Sequence, residues 1–376
     1  MATDLLNIAT SGIRAARAGL DTTAQNIANA GTKGYIRRTI SLAELASPSS
    51  YAQVSDLSFS GVTIGGYSRN VDAFRQAEVR RTGADSARAA TELDAFQNVE
   101  SALEQSGLFP AMTAFETSLQ HLSSDTTDPV LRTATLEAAR TLSRTFNLAS
   151  TALDTAGESL RFAASDGTEQ VNRLARELGR TNLELSRATP GAADQIMLLD
   201  QRDNLLGQMT DYADITTSFG PNQTVQVRIG GSNGPLLVDG INVDPVVLSQ
   251  AADGTISFAN GGGAITLSGG SLAGQAQGLT MIRDTRSSLD SIAADLISTA
   301  NTAQGSHAAL DGTTGQPLFS GSDAASIALA LTSGAQLATA PAGAPARSRD
   351  PAGLNALRGA LQGRDISGQI DGLLFQ

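Results

Sequence analysis

Leu6, Ile13, Leu20 and Ile27 recur at a spacing of seven near the start of the chain. Ala9, Ala16 and Thr23 follow the first three at a spacing of three. This places one narrow apolar seam along a helix over residues 1–30. Thr3 or Asp4 is the expected cap at its start, and Gly31 sits where a C-terminal cap belongs. Such a helix runs roughly 39 Å at about 1.5 Å per residue. The opposite face is polar, so the seam calls for a partner helix, and a one-seam helix without one is marginal in water. Residues 1–30 are therefore expected to be poorly held in the isolated monomer.

Composition narrows the partners. The chain has 376 residues with a formal net charge of −11, the opposite of the basic balance usual in nucleic-acid binders. There is no cysteine, which removes disulfides and thiolate metal sites. That suits a protein leaving the cell unfolded, although cytosolic proteins also lack cysteine. The N-terminus has no basic region followed by an apolar core of signal-peptide type, and no apolar run is long enough to span a bilayer. Trp is absent and aromatics are 4%, so Ala, Leu, Val and Ile carry the cores.

The expected fold is mainly α with an inserted β domain: a long-helix, rod-like bundle plus a small antiparallel β domain. Residues 1–32 form the N-terminal coiled-coil-type helix. Residues 33–212 form a helical rod domain carrying a β arm. Residues 213–270 form the inserted β domain, and 271–376 return to the rod. Within the arm, Ile36, Ile40 and Leu42 share a face at period two. A loop with Pro48 follows, and then a second strand from Leu57 to Tyr67 with bends at Gly61, Gly65 and Gly66. Residues 71–105 are rich in helix formers and end at Gly107, and Pro110 is expected to open a shorter helix. Asp128-Pro129 is the clearest helix start, and the pattern then runs to about Arg187 with a bend expected at Asp166-Gly167. Pro190-Gly191 turns the chain into a returning helix. Val225, Val227 and Ile229 alternate as a half-buried strand does, and Gly-Asn, Asp-Gly and Gly-Gly signals divide the strands of this region. Helix returns from Ser271 as the expected cap to His307. A strand over 326–331, a loop over 338–349 and a helix over 354–361 close the pattern.

Little in the sequence suggests catalysis. His121 and His307 have no second ligand at metal-binding spacing. Asp200 and Asp203 lie on one helix face. They suit half of an acid/base pair or a hard-cation site, but a surface network with Arg202 and Asn204 is the commoner meaning of such a cluster. Gly269-Gly270-Ser271-Leu272-Ala273-Gly274 leads into a helix as a phosphate loop does, but lacks a Lys, so a turn and cap is expected. With only Arg14 and Arg17 and no Trp or Phe, the first helix is a poor membrane-surface anchor.

Asn26-Ile-Ala-Asn-Ala-Gly-Thr-Lys-Gly-Tyr-Ile-Arg-Arg38 resembles the N-terminal signature of bacterial flagellar axial proteins. Ser118–Ser124, Asp128-Pro129 with Arg132, Leu199-Asp-Gln-Arg-Asp203, Gly269–Gly274, Arg283-Asp284 and Gly315–Phe319 resemble the hook-associated protein 1 family. The resemblance covers nearly the whole chain. It implies a structural, non-enzymatic part of the junction between hook and filament, without cofactor, exported through the flagellar type III channel and residing outside the cell. It implies as partners the hook protein, the next hook-associated protein on the filament side and further copies of the chain in a ring, with no nucleic acid and no membrane. The family carries a C-terminal helical segment that pairs with the N-terminal helix. No late heptad segment is visible here, and the export chaperone is expected to be lost with that tail. The expected assembly seam is Leu6, Ile13, Leu20 and Ile27, and the expected helix-to-arm turn is Asn26, Asn29, Thr32, Gly34 and Tyr35. The competing readings are a hook or rod axial protein and a cell-wall hydrolase working through Asp200 and Asp203.

Overall fold

The computed structural model describes residues 2–32, 34–46 and 59–374. The expected Pro48 loop, and the beginning of the second strand at Leu57, lie outside them. In chain order the elements are α1 (Ala2–Ala28), β1 (Arg38–Ala46), β2 (Phe59–Arg69), α2 (Ala73–Ser106), α3 (Leu108–Leu122), α4 (Pro129–Arg187) and α5 (Ala193–Tyr212). Seven strands follow: β3 (Ile215–Phe219), β4 (Val225–Ile229), β5 (Leu236–Asp239), β6 (Asn242–Val243), β7 (Val247–Gln250), β8 (Ile256–Asn260) and β9 (Gly263–Ile265). After α6 (Ser271–Gly305) come the short strands β10 (His307–Ala308), β11 (Phe319–Ser320), β12 (Ala328–Leu329) and β13 (Ala340–Pro341). The last elements are α7 (Ala352–Gly363) and α8 (Ile366–Leu374). The fold is mainly helical with small antiparallel sheets, as its patterning predicts.

Several boundaries differ from expectation for local reasons. Helix α1 already runs from Ala2, so Thr3 and Asp4 lie in its first turn rather than ahead of it. The left-handed residue after α1 is Gly34, at φ 83°, and not Gly31. Helix α3 starts at Leu108, directly after left-handed Gly107, and Pro110 falls among the first-turn positions whose N–H has no helical partner. Asp128 caps α4 as expected, its Oδ1 accepting from the Val130 and Leu131 N–H groups at 2.7 and 3.3 Å. Helix α4 runs unbroken through Asp166-Gly167. There a Cβ on Gly167 would meet Leu272 at 3.0 Å, so the glycine admits a close neighbour rather than a bend. Ser271 is the first residue of α6, not its cap.

The chain divides into two compact units. The first comprises residues 1–90, 164–249 and 257–274. The second comprises 91–163, 250–256 and 275–376.

In the first unit, α1 lies on the β1–β2 hairpin, and β3-β4-β5-β6 form an antiparallel sheet. Val225, Val227 and Ile229 of β4 point inward at period two. Two asparagines of α4 dock this region as a neighbouring strand would. Buried Asn182 donates to the Val225 carbonyl at 2.7 Å and accepts from the Val225 N–H at 2.8 Å. Asn172 makes the same pair of bonds with Val246, both at 2.8 Å. Each satisfies backbone groups that would otherwise be stranded beside a helix.

In the second unit, α3, α4, α6, α7 and α8 share one apolar core that includes Phe115, Phe146, Leu289, Leu354 and Ile370. Phe115 and Phe319 meet edge to face at 6.1 Å. Helix α8 is an element that the apolar spacing of residues 366–374 did not announce; Ile366, Ile370 and Leu373 bury its inner face. Asn301 bonds both backbone groups of Phe319, donating at 2.8 Å and accepting at 3.0 Å, so the asparagine device recurs.

Among the described residues, Arg132 is the largest fully buried side chain, and its hydrogen bonds go to carbonyls and a hydroxyl. Its Nε donates to the Thr126 carbonyl at 2.6 Å, Nη1 to the Gly334 and Leu337 carbonyls at 2.8 and 2.9 Å, and Nη2 to Thr339 Oγ1 at 2.7 Å. Burial pulls its pKa below the usual arginine value. The loops around residues 126 and 334–339 are thus gathered on one guanidinium.

Candidate assembly surface

Helix α1 presents two unlike faces. Ala15 and Thr22 are buried against the hairpin, which can approach because the facing residues are small. A Cβ on Gly19 would lie 3.5 Å from Ile40 Cδ1. Gly61, at φ 106°, comes closer still: a Cβ there would sit 2.2 Å from Ser11 Oγ. The same Ser11 Oγ accepts the Val62 N–H at 3.1 Å. This face is a small-residue contact rather than an apolar seam.

The seam itself points away. Leu6, Ile13, Leu20 and Ile27 are 68%, 70%, 71% and 73% exposed. Single exposed apolar residues need no explanation, but four at heptad spacing on one helix form a patch of the kind that marks interaction sites.

The turn after α1 is built around Asn26. Its Nδ2 donates to the Arg38 carbonyl at 2.8 Å, and its Oδ1 accepts from the Arg38 N–H and the Tyr35 hydroxyl, each at 2.9 Å. Asn29 accepts the Thr32 N–H on its backbone carbonyl at 2.9 Å, and the Thr32 carbonyl accepts the Tyr35 N–H at 3.1 Å. Gly34 supplies the left-handed residue between them. The structure thus brings together all five turn residues expected from the sequence. It adds Arg38, whose guanidinium lies 5.6 Å from the Tyr35 ring centre.

The arm returns to α5 through an ionic cluster. Arg38 reaches Asp200 Oδ2 at 2.5 Å, and Arg69 reaches Asp203 Oδ2 at 2.5 Å. Arg69 Nε also approaches Asp200 Oδ1 to 2.9 Å, a charge contact without hydrogen-bond alignment. Arg202 clasps the other oxygen of Asp203 through Nε at 2.9 Å and Nη2 at 2.7 Å, and stacks 4.6 Å from the Phe219 ring centre. Burial alone raises the Asp203 carboxyl. The charges of Arg202 and Arg69, with their hydrogen bonds, outweigh it and hold the group below the ordinary aspartate value.

The expected surface network of Asp200, Arg202, Asp203 and Asn204 is therefore only partly right. Arg202 does pair with Asp203, but Asp200 is committed to the arm and Asn204 bonds Gln208. Sequence reasoning missed Arg38 and Arg69 because their aspartate partners lie more than a hundred residues away. Beside the cluster, a cleft of about 1010 Å³ is lined by Tyr35, Ile36, Val79, Arg80, Asp203 and Gln208 among others.

The glycine pair before α6 is explained by packing. Gly270, at φ 84°, would put a Cβ 2.2 Å from the Tyr212 carbonyl carbon, and its N–H is spent on the Ala84 carbonyl at 2.8 Å. His307 Nδ1 faces the Ala303 carbonyl at 2.7 Å. Among the described residues, no helix is long and apolar enough to cross a membrane.

The model of the flagellar hook-associated protein FlgK helical domain matches residues 93–319. The chain belongs to this family. A second match, to the flagella basal body rod protein family, covers residues 6–35 and so takes in both the seam and the turn of this FlgK-family chain. Flagellar hook-associated protein 1 of Salmonella typhimurium is 30% identical over 240 residues, 63% of this chain and 42% of that protein. The Bacillus subtilis protein of the same name is 26% identical over 256 residues, 66% of this chain and 50% of its own length. The FlgK-family chain thus spans about half the length of the curated relatives it matches. The solved flagellar hook junction protein FlgK of Burkholderia pseudomallei superposes with a TM-score of 0.54 at 18% identity, over 64% of this chain and 46% of that one. At that identity the likeness speaks to the fold.

Proposed function

We propose that this chain is a structural subunit of the bacterial flagellum, at the junction between hook and filament, assembled through α1. The exposed heptad seam carries the reading: Leu6, Ile13, Leu20 and Ile27 are each more than two-thirds exposed on a helix whose other face is already docked. Covering a large aliphatic side chain is worth about 1.5–3 kcal/mol, so a partner helix along the seam gains a usable driving force. That helix comes from a neighbouring subunit or from sequence that the longer relatives carry. The partners on this reading are the hook protein, the next hook-associated protein and further copies of the chain in a ring. The subunit leaves the cell through the flagellar type III channel and acts without catalysis or cofactor. Residues 213–270 serve as an inserted β domain on the helical rod.

The wall-hydrolase reading loses its chemistry. Asp200 and Asp203 are tied to Arg38, Arg69 and Arg202, so both carboxylates are occupied by ion pairs rather than free to face a substrate as an acid/base pair.

The test is electron microscopy of isolated hooks incubated with the purified product of the native gene. Caps of added density at hook ends are expected, and bare hooks at every dose would sink the proposal. Growth of long tubes from the protein alone would favour a hook or rod protein instead.

A further inference from the structure

The chain contains two Asn-Gly pairs, Asn233-Gly234 and Asn260-Gly261. An asparagine before glycine is open to ring closure, because no Cβ shields the following backbone nitrogen from the side-chain amide carbon. The fold treats the two pairs differently. Asn233 is exposed in the turn between β4 and β5. Among the described residues, nothing hydrogen-bonds its side chain, so the amide can rotate onto the Gly234 nitrogen. The Gly234 N–H donates to the Gly231 carbonyl at 3.2 Å, the long limit for such a bond. A Cβ on Gly234 would collide with the Ile229 carbonyl, so the turn cannot shed its glycine.

Asn260 is half-buried at the end of β8 and tied on both sides. Its Nδ2 donates to the Leu236 carbonyl at 2.8 Å, and its Oδ1 accepts from the Gly262 N–H at 3.0 Å. The nitrogen that would attack it, Gly261 N, donates to Asp244 Oδ1 at 3.1 Å, a charge-assisted bond. Closure there requires both the amide and the nitrogen to be released first.

We propose that Asn233 is a site of spontaneous deamidation and isoaspartate formation in the folded chain, and that Asn260 is protected from it. The Gly234 nitrogen attacks Asn233 Cγ. The new bond replaces the one from Cγ to the amide nitrogen, which leaves as ammonia with the proton given up by the Gly234 N–H. Water then opens the succinimide at one carbonyl or the other, giving isoaspartate or aspartate, with nothing oxidised or reduced. Either product adds a negative charge to the turn. Isoaspartate also inserts a methylene into the main chain, beside the Ile229 N–H bond to the Pro235 carbonyl at 3.1 Å and the Arg228 Nη1 bond to the Gly234 carbonyl at 2.9 Å. Conversion accumulates with time, so the β4–β5 turn marks the age of the chain.

The full chain is incubated at mildly alkaline pH, folded or in denaturing urea. Conversion at each asparagine is followed by mass spectrometry, with isoaspartate told from aspartate by fragmentation. In urea both sites are expected to convert at similar rates, since local sequence alone then governs them. In the folded chain, Asn233 is expected to stay within a few-fold of its urea rate. Asn260 is expected to slow at least about tenfold, because bonds of about 1 kcal/mol each must open first. Asn233→Gln is expected to remove the isoaspartate of the folded chain. Folded Asn233 as slow as Asn260 overturns the proposal. So does folded Asn260 as fast as Asn233, or an isoaspartate yield that Asn233→Gln leaves unchanged.

Discussion

Asn26 holds Arg38 by both of its backbone groups, accepting the N–H at 2.9 Å and donating to the carbonyl at 2.8 Å. One side chain thereby ties the last turn of α1 to the start of the first arm strand and orients the Tyr35 hydroxyl. With Asn26→Ala, backbone groups of Arg38 lose these bonds at a partly buried site, a cost of about 1–3 kcal/mol. Amide exchange across α1 and β1 is expected to accelerate, while exchange in α3 and α6 stays unchanged. Equal protection of α1 in both proteins contradicts this role.

The two faces of α1 predict opposite outcomes for substitutions at Ile13 and Ala15, two residues apart on opposite sides of the helix. Ile13→Gln with Leu20→Gln changes only exposed positions and is expected to leave the melting temperature unchanged, since surface changes usually stay within about 0.5 kcal/mol. The same variant is expected to lose assembly onto hook ends. Ala15→Leu places bulk on the buried face and is expected to undock the helix in the monomer. Thermal melts and hook-end occupancy measured side by side separate the two.

Arg132 predicts a large effect far from the seam. Arg132→Met leaves the Thr126 and Leu337 carbonyls, bonded at buried sites, the part-buried Gly334 carbonyl and the Thr339 hydroxyl short of a donor, and about 3 kcal/mol or more of destabilisation is expected. Urea unfolding followed by labels within residues 275–374 reads it. A loss under about 0.5 kcal/mol, the range of ordinary surface changes, shows that the guanidinium is not what gathers these loops.

Acid should loosen the first unit through Asp203. Its pKa is lower folded than unfolded, so its contribution is fully present above the ordinary value of 3.8 and is lost as pH falls through the lower, folded value. Asp125, Asp253 and Asp311 shift the same way through hydrogen bonds from Thr127, Thr255 and Thr313, so the comparison with Asp203→Asn isolates the cluster. Urea midpoints at pH 6 and pH 3 are expected to differ more in the native chain than in Asp203→Asn. The same difference in both proteins counts against the cluster.

Local patterning made much of this legible. Heptad spacing marked α1, Asp128-Pro129 marked the start of α4, and the alternation over Val225, Val227 and Ile229 marked β4, because each signal lies within a few residues of what it specifies. The Asn26 turn was legible through its resemblance to axial proteins. The cluster was not, because Arg38 and Arg69 find Asp200 and Asp203 only once the hairpin has folded back. The asparagine docking at Asn172 and Asn182 was hidden for the same reason: a polar residue on a helix gives no sign of the strand it will satisfy. Helix α8 carries too few turns to declare its period.

The central claim is that the heptad seam is open in the subunit and covered in the flagellum. Ile13→Cys supplies a single thiol in a chain without cysteine, at a side chain now 70% exposed. Its rate of maleimide labelling, measured in the purified subunit and in isolated hook–filament preparations, tests the claim most directly. Rapid labelling of the free subunit and strong protection in the assembled structure are predicted. Equal labelling in the two would contradict the account.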